Sequence, residues 1–143
     1  MTPNTASATY EGLGKAGKGH ISTGSGALSA QPYGFNTRFE DAAGTNPEEL
    51  IAAAHASCFT MALSFMLGDE GFEDGTVTTS AAVTLEKDGD GFTVTQSALS
   101  TKGTVPGMEQ AKFEELAEKA KANCPISKLL DCEITLETEF ASS

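Results

Sequence analysis

Positive charge is scarce in this 143-residue chain: nine lysines and arginines face 20 acids, for a net charge of −11. Such a field repels phosphate backbones and anionic lipid, which excludes nucleic-acid and membrane-surface roles. Phosphate-loop spacing is missing too. The glycine-rich "EGLGKAGKGH" fits neither GxGxxG nor GxxxxGK[ST]. A turn between two strands explains it better. The opening "MTPNTASATYEG" lacks the basic and apolar stretches of a secretory leader. Cysteine is limited to three residues, an odd number with no CxxC pair, so neither a secreted disulfide framework nor a four-ligand zinc site is expected. These absences together predict a cytoplasmic protein without nucleic-acid or membrane partners. No repeat, linker or low-complexity run divides it, so residues 1–143 read as a single domain, long enough to bury a core.

What is present alternates between strand and helix signals. Short β-like pieces, "HISTGS" and "GFNTRFE", precede "GTNPEELIAAAHASCFTMALSFMLGDEG". There Asn46 can cap a helix, Pro47 suits its first position and Glu49 completes a capping-box pattern, with Gly68 as the stop. "TVTTSAAVTLE" places Val77, Thr79, Ala81, Val83 and Leu85 on one strand face. "KDGDG" turns the chain into a second strand, "FTVTQSALST". An amphipathic helix follows, "MEQAKFEELAEKAKAN", with Phe113, Leu116, Ala117 and Ala120 inward. The strand "DCEITLETEF" closes the chain. The fold class is α+β.

The first helix carries only four polar residues between Leu50 and Leu67: His55, Ser57, Thr60 and Ser64. A helix apolar nearly all round must be buried nearly all round. Its length would allow a membrane crossing, but it stands alone, holds a mid-segment histidine and lacks aromatic or basic anchors. A small domain covers such a helix most simply with a second copy, which predicts a homodimer with this helix near the interface.

The three cysteines differ in setting. Cys132 shares a strand face with Ile134, Leu136 and Phe140 and reads as structural. Cys124, in "ANCPISKLL", precedes a proline suited to the first turn of a short helix, where a thiolate is stabilised. A half-buried turn cysteine is an equally open reading there. Cys58 lies mid-helix among apolar residues and is inert unless a cation reaches it. The chain holds one arginine, Arg38, whose planar fork can hold a carboxylate and a second acceptor together. Glu48 and Glu49 are the carboxylates to hand, and both also suit the helix's positive end.

"QPYGFNTRFE", then "GTNPEELIAAAHASCFTMALS", "VPG" and "NCPIS", resemble the OsmC branch of the OsmC/Ohr hydroperoxide-reducing proteins (osmotically inducible protein C and organic hydroperoxide resistance protein). The resemblance spans nearly the whole chain. It implies an OsmC-like fold, an antiparallel β-sheet with a long buried central helix, in an intertwined homodimer. It implies thiol-dependent reduction of organic hydroperoxides to alcohols, with hydrogen peroxide a poorer substrate, in oxidative or osmotic stress defence. Cys58 matches the peroxidatic cysteine, Cys124 the resolving one, Arg38 the arginine and Glu48 its glutamate. A Cys58–Cys124 disulfide and resetting by an external, lipoyl-type dithiol are also implied, with no metal or bound cofactor needed.

The chemistry is consistent with that reading. An ordinary thiol, with pKa about 8.5, is only about 3% thiolate at pH 7. Lowering it two units costs roughly 2.7 kcal/mol, and a guanidinium at about 4 Å supplies on the order of 4 kcal/mol at an effective dielectric near 20. One arginine is enough. Glu48 and Cys58 are ten residues apart, about 15 Å along a helix, so one guanidinium cannot touch both in the same chain. If Arg38 bridges them, the Glu48 comes from the partner and the site is composite. Three other readings compete: zinc held by His55, Cys58 and Cys124, a cysteine hydrolase with His55 as base, and a non-enzymatic redox sensor toggling the same disulfide. For His55 itself, a satisfied core or interface position is the simplest reading.

Overall fold

The computed structural model describes residues 3–143. Met1 and Thr2, the first residues of the opening segment weighed above as a leader, lie outside the described residues. The chain divides into two compact units, residues 1–50 and 51–143.

In the first unit, β1 (Ala6–Glu11), β2 (Lys18–Thr23) and β3 (Gln31–Tyr33) form an antiparallel sheet in that order. The glycine-rich stretch is the expected β1–β2 turn, a single 3-10 turn over Gly14–Ala16. "GFNTRFE" departs from expectation: instead of extending, it forms α1 (Phe35–Phe39). The Thr37 hydroxyl closes the chain on Gly34, accepting its N–H at 2.8 Å and donating to its carbonyl at 3.0 Å. Phe35 and Phe39, four apart, then pack at a tilt with ring centroids 5.1 Å apart. Local side-chain bonding of this kind competes with extended pairing.

The long helix α2 (Pro47–Asp69) starts as its capping residues require. Asn46 Oδ1 accepts the Glu49 N–H at 2.8 Å, while Asn46 Nδ2 donates to the Thr37 carbonyl at 3.1 Å, tying α1 to the helix start. Its end lies beyond the expected Gly68. Gly71 takes φ +94°, and the Gly71 and Phe72 N–H groups donate to the carbonyls of Gly68 and Leu67. This is a Schellman closure, whose left-handed position suits glycine.

The second unit holds β4 (Thr76–Asp88), β5 (Gly91–Thr104), α3 (Gln110–Asn123), α4 (Pro125–Leu129) and β6 (Glu133–Ala141). β4 and β5 form the expected hairpin; β6 pairs parallel to β5. The sheet is therefore mixed, which corrects the expected antiparallel sheet. Parallel neighbours need a long crossover, and α3 with α4 provides it. As its spacing predicted, α3 buries Phe113, Leu116, Ala117 and Ala120. They join Phe59, Leu63 and Leu67 of α2 and Leu99 of β5 in one core.

In the single chain α2 is buried on one side only, which corrects the expectation of burial all round. His55, Phe59, Leu63 and Leu67 face inward, yet Met61 is 59% and Phe65 67% exposed. By length and composition α2 could cross a membrane. Its inward stripe packs instead against protein.

One close approach fixes how α3 sits on the sheet. A Cβ on Gly103 of β5 would overlap the Phe113 ring. Gly103→Ala should cost about 1–3 kcal/mol by forcing that ring aside, read as a lowered denaturant midpoint with an unchanged slope.

Candidate active site

The four sequence-predicted site residues come together as two pairs, one in each unit. In the first unit, Arg38 on α1 grips Glu48, in the first turn of α2, with both arms of its fork. Nε donates to Oε1 at 2.8 Å and an Nη to Oε2 at 3.0 Å. This bidentate geometry distinguishes Glu48 from Glu49, whose carboxylate accepts the Thr45 hydroxyl at 2.7 Å. The Asn46–Thr37 bond holds the two helices that carry the pair. Glu48 is largely covered, whereas the Arg38 side chain keeps 36% of its surface open. The guanidinium also lies 5.3 Å from the centre of the Phe39 ring and lines a cavity of about 370 Å³ with Tyr10, Tyr33, Phe35 and Phe39. Such a cavity suits an apolar molecule with one polar end at the cation.

In the second unit, Cys58 on α2 makes a hydrogen-bonding contact with Cys124, which caps α4. Both are free thiols; Cys58 is half-buried and Cys124 fully buried. Burial and the hydrogen bond to Cys124 push the Cys58 thiol up, against a smaller opposite pull from the Ile126 N–H. Burial also pushes Cys124 up, but it is outweighed by the donors facing it, Cys58 first and then Ser127 and Ile126 in the first turn of α4, so Cys124 lies below an ordinary thiol. Negative charge on Cys124 raises Cys58 further. Within this unit no cation acts on Cys58. Drawing the charge onto Cys58 therefore takes a cation from outside it.

His55 is fully buried between two hydroxyls, with Nδ1 2.6 Å from Ser97 Oγ and Nε2 2.8 Å from Ser127 Oγ. Both ring nitrogens are thus engaged by serines, which leaves neither for zinc nor for activating Cys58. Among the described residues no group of three or more His, Cys, Asp or Glu is placed to hold a metal ion. Cys132 is half-buried; burial and then the Asp131 charge push its thiol up, as suits a structural cysteine. Sequence reading missed Ser97 and Ser127. The available signal was Ser97's register: it shares the inward β5 positions with Leu99, Thr101 and Gly103, and a polar group there needs a buried partner.

The family model described as OsmC-like protein matches residues 40–139. The chain belongs to this family. It is 53% identical to the Escherichia coli protein Peroxiredoxin OsmC over 135 residues, 94% of each chain. It is 30% identical to the Bacillus subtilis organic hydroperoxide resistance protein OhrB over 138 residues, 95% of this chain and 96% of the relative. The crystal structure of that OhrB superposes with a TM-score of 0.63 at 31% identity, covering 95% of this chain and 97% of its own. An OsmC-like protein of unknown function from Vibrio cholerae shares the fold with a TM-score of 0.77 at 18% identity, covering 96% of this chain and 99% of its own.

Proposed function

We propose that the protein is a thiol-dependent peroxidase that reduces organic hydroperoxides, hydrogen peroxide less well, and that it works in the reducing cytoplasm. The observation that carries this reading is the pair of free thiols in contact, Cys58 on α2 and Cys124 at the cap of α4. The names of relatives that match along most of the chain support it.

The Cys58 thiolate attacks one peroxide oxygen. The O–O bond breaks, an alcohol leaves after taking a proton, and Cys58 becomes a sulfenic acid. Cys124 then attacks the Cys58 sulfur, forming the disulfide and releasing water. An external dithiol, lipoyl-type by family resemblance, reduces the disulfide and is itself oxidised.

Arg38 is the cation the first step needs, held in its fork by Glu48 and facing an apolar cavity suited to the organic end of the peroxide. Helix spacing forbids one guanidinium from reaching Glu48 and Cys58 of the same chain. In this reading the Arg38–Glu48 pair therefore serves the partner's Cys58, in a homodimer whose interface covers the exposed apolar side chains Met61 and Phe65.

The test treats reduced protein with one equivalent of cumene hydroperoxide, quenches with an alkylating agent and maps the cysteines by mass spectrometry. A Cys58–Cys124 disulfide with alkylated Cys132 is the expected product. Cys58 and Cys124 both alkylated, with peroxide left over, would sink the reading. Many turnovers with excess dithiol separate an enzyme from a sensor that oxidises once.

A further inference from the structure

The peroxide step leaves one buried polar chain unused. Ser97 on β5, His55 on α2 and Ser127 on α4 are joined by contacts of 2.6 and 2.8 Å, all three residues buried. Ser127 is the third residue of α4, the position whose side chain reaches back toward the cap residue, here Cys124, and its hydroxyl lowers the Cys124 thiol. Burial lowers the readiness of His55 to take a second proton, so its ring is neutral and each nitrogen has a single role.

Proton counting then gives the chain a direction. Ser127 has one hydroxyl hydrogen. If it points at the Cys124 sulfur, Ser127 Oγ must receive a hydrogen from His55 Nε2. Nδ1 is then an acceptor and takes the Ser97 hydroxyl hydrogen. With the other tautomer, Ser127 would donate to Nε2 and leave the buried Cys124 sulfur without that donor. Consecutive donors aligned in one direction polarise each other.

We propose that Ser97, His55 and Ser127 form a positioning relay for Cys124, aiming the Ser127 hydroxyl at its sulfur and holding it ready to resolve oxidised Cys58. This rests on the reading of Cys58 and Cys124 as the reacting pair. Cys124, having released its proton to solvent, attacks the Cys58 sulfenic sulfur. The S–S bond forms, the Cys58 S–O bond breaks, and the departing hydroxide takes a proton from solvent to become water. The preceding attack on peroxide draws nothing from the relay. Losing His55 or either serine therefore slows the second step and not the first.

Single-turnover kinetics with cumene hydroperoxide separates the steps: peroxide loss reports the first and disulfide formation the second. Ser127→Ala and His55→Leu should slow disulfide formation about tenfold, the scale of one hydrogen bond to a charged sulfur, with peroxide loss no slower. His55→Gln, which keeps an N–H donor toward Ser127, should recover most of that rate. With excess peroxide, the two slow variants should accumulate Cys58 sulfinic acid. A folded Ser127→Ala that closes the disulfide at the wild-type rate would overturn the relay and leave the peroxidase reading intact. Equal slowing of both steps would overturn it as well, by showing general damage. His55→Gln as slow as His55→Leu would remove the donor role assigned to the ring. A wild-type protein that never forms the Cys58–Cys124 disulfide would bring down both readings.

Discussion

Replacing Cys58 by serine should abolish peroxide turnover, a loss of at least about 10³-fold measured as hydroperoxide consumption with dithiol in excess. A serine hydroxyl does not ionise near neutral pH and has no sulfenic acid state, so the first bond-breaking step has no electron donor. Cys124→Ser should behave differently. Its Cys58 still meets peroxide, so one equivalent is consumed, and the sulfenic acid then persists or over-oxidises. Cys132→Ser should keep turnover within about twofold, because that thiol is raised by burial and by Asp131 and so supplies little thiolate. If the Cys58→Ser protein turned over peroxide at the wild-type rate, the nucleophile would have to be sought elsewhere.

Arg38→Gln should lower turnover about 100-fold, through the pH at which Cys58 becomes reactive. Within its own unit Cys58 is raised, by burial and by its hydrogen bond with Cys124, while Cys124 is lowered by its donors. A cation beside Cys58 favours its charged form, so the wild-type midpoint for alkylation of Cys58 should lie below that of Arg38→Gln. The variant's curve moves to higher pH, by about two units if the loss is 100-fold at neutral pH. Coexpression then locates the arginine. A mixed dimer of an Arg38→Gln chain and a Cys58→Ser chain, purified through two tags, should recover about half the wild-type rate. One of its two composite sites then has both Arg38 and Cys58, and the other has neither. A mixed dimer as inactive as its parents would place Arg38 and Cys58 of one chain in the same site.

Much of the architecture is legible in residue order, because it follows from local chemistry. Asn46 and Pro47 start α2 where a cap and a first-turn proline should, and the apolar spacing of α3 names its four buried residues. The strands of the β4–β5 hairpin follow from their alternation. Where the reading failed, a longer-range or subtler bond decided. Thr37 closing on Gly34 made α1 helical, and the closure at Gly71 let α2 run to Asp69, one residue past Gly68.

By itself, the sequence determined which side chains could do chemistry here: two cysteines in distinct settings, a single arginine and an acidic pair at a helix start. Types and local spacing carry that information, since reactivity begins with the functional group. Tertiary structure decided which of them meet. It chose Glu48 over Glu49 for Arg38, set Cys58 against Cys124, laid β6 parallel to β5, and enclosed His55 between Ser97 and Ser127. His55 and Ser127 are 72 residues apart. No local pattern encodes such a meeting; it arises only when the helices and sheet close over a shared core and every buried polar group must find a partner.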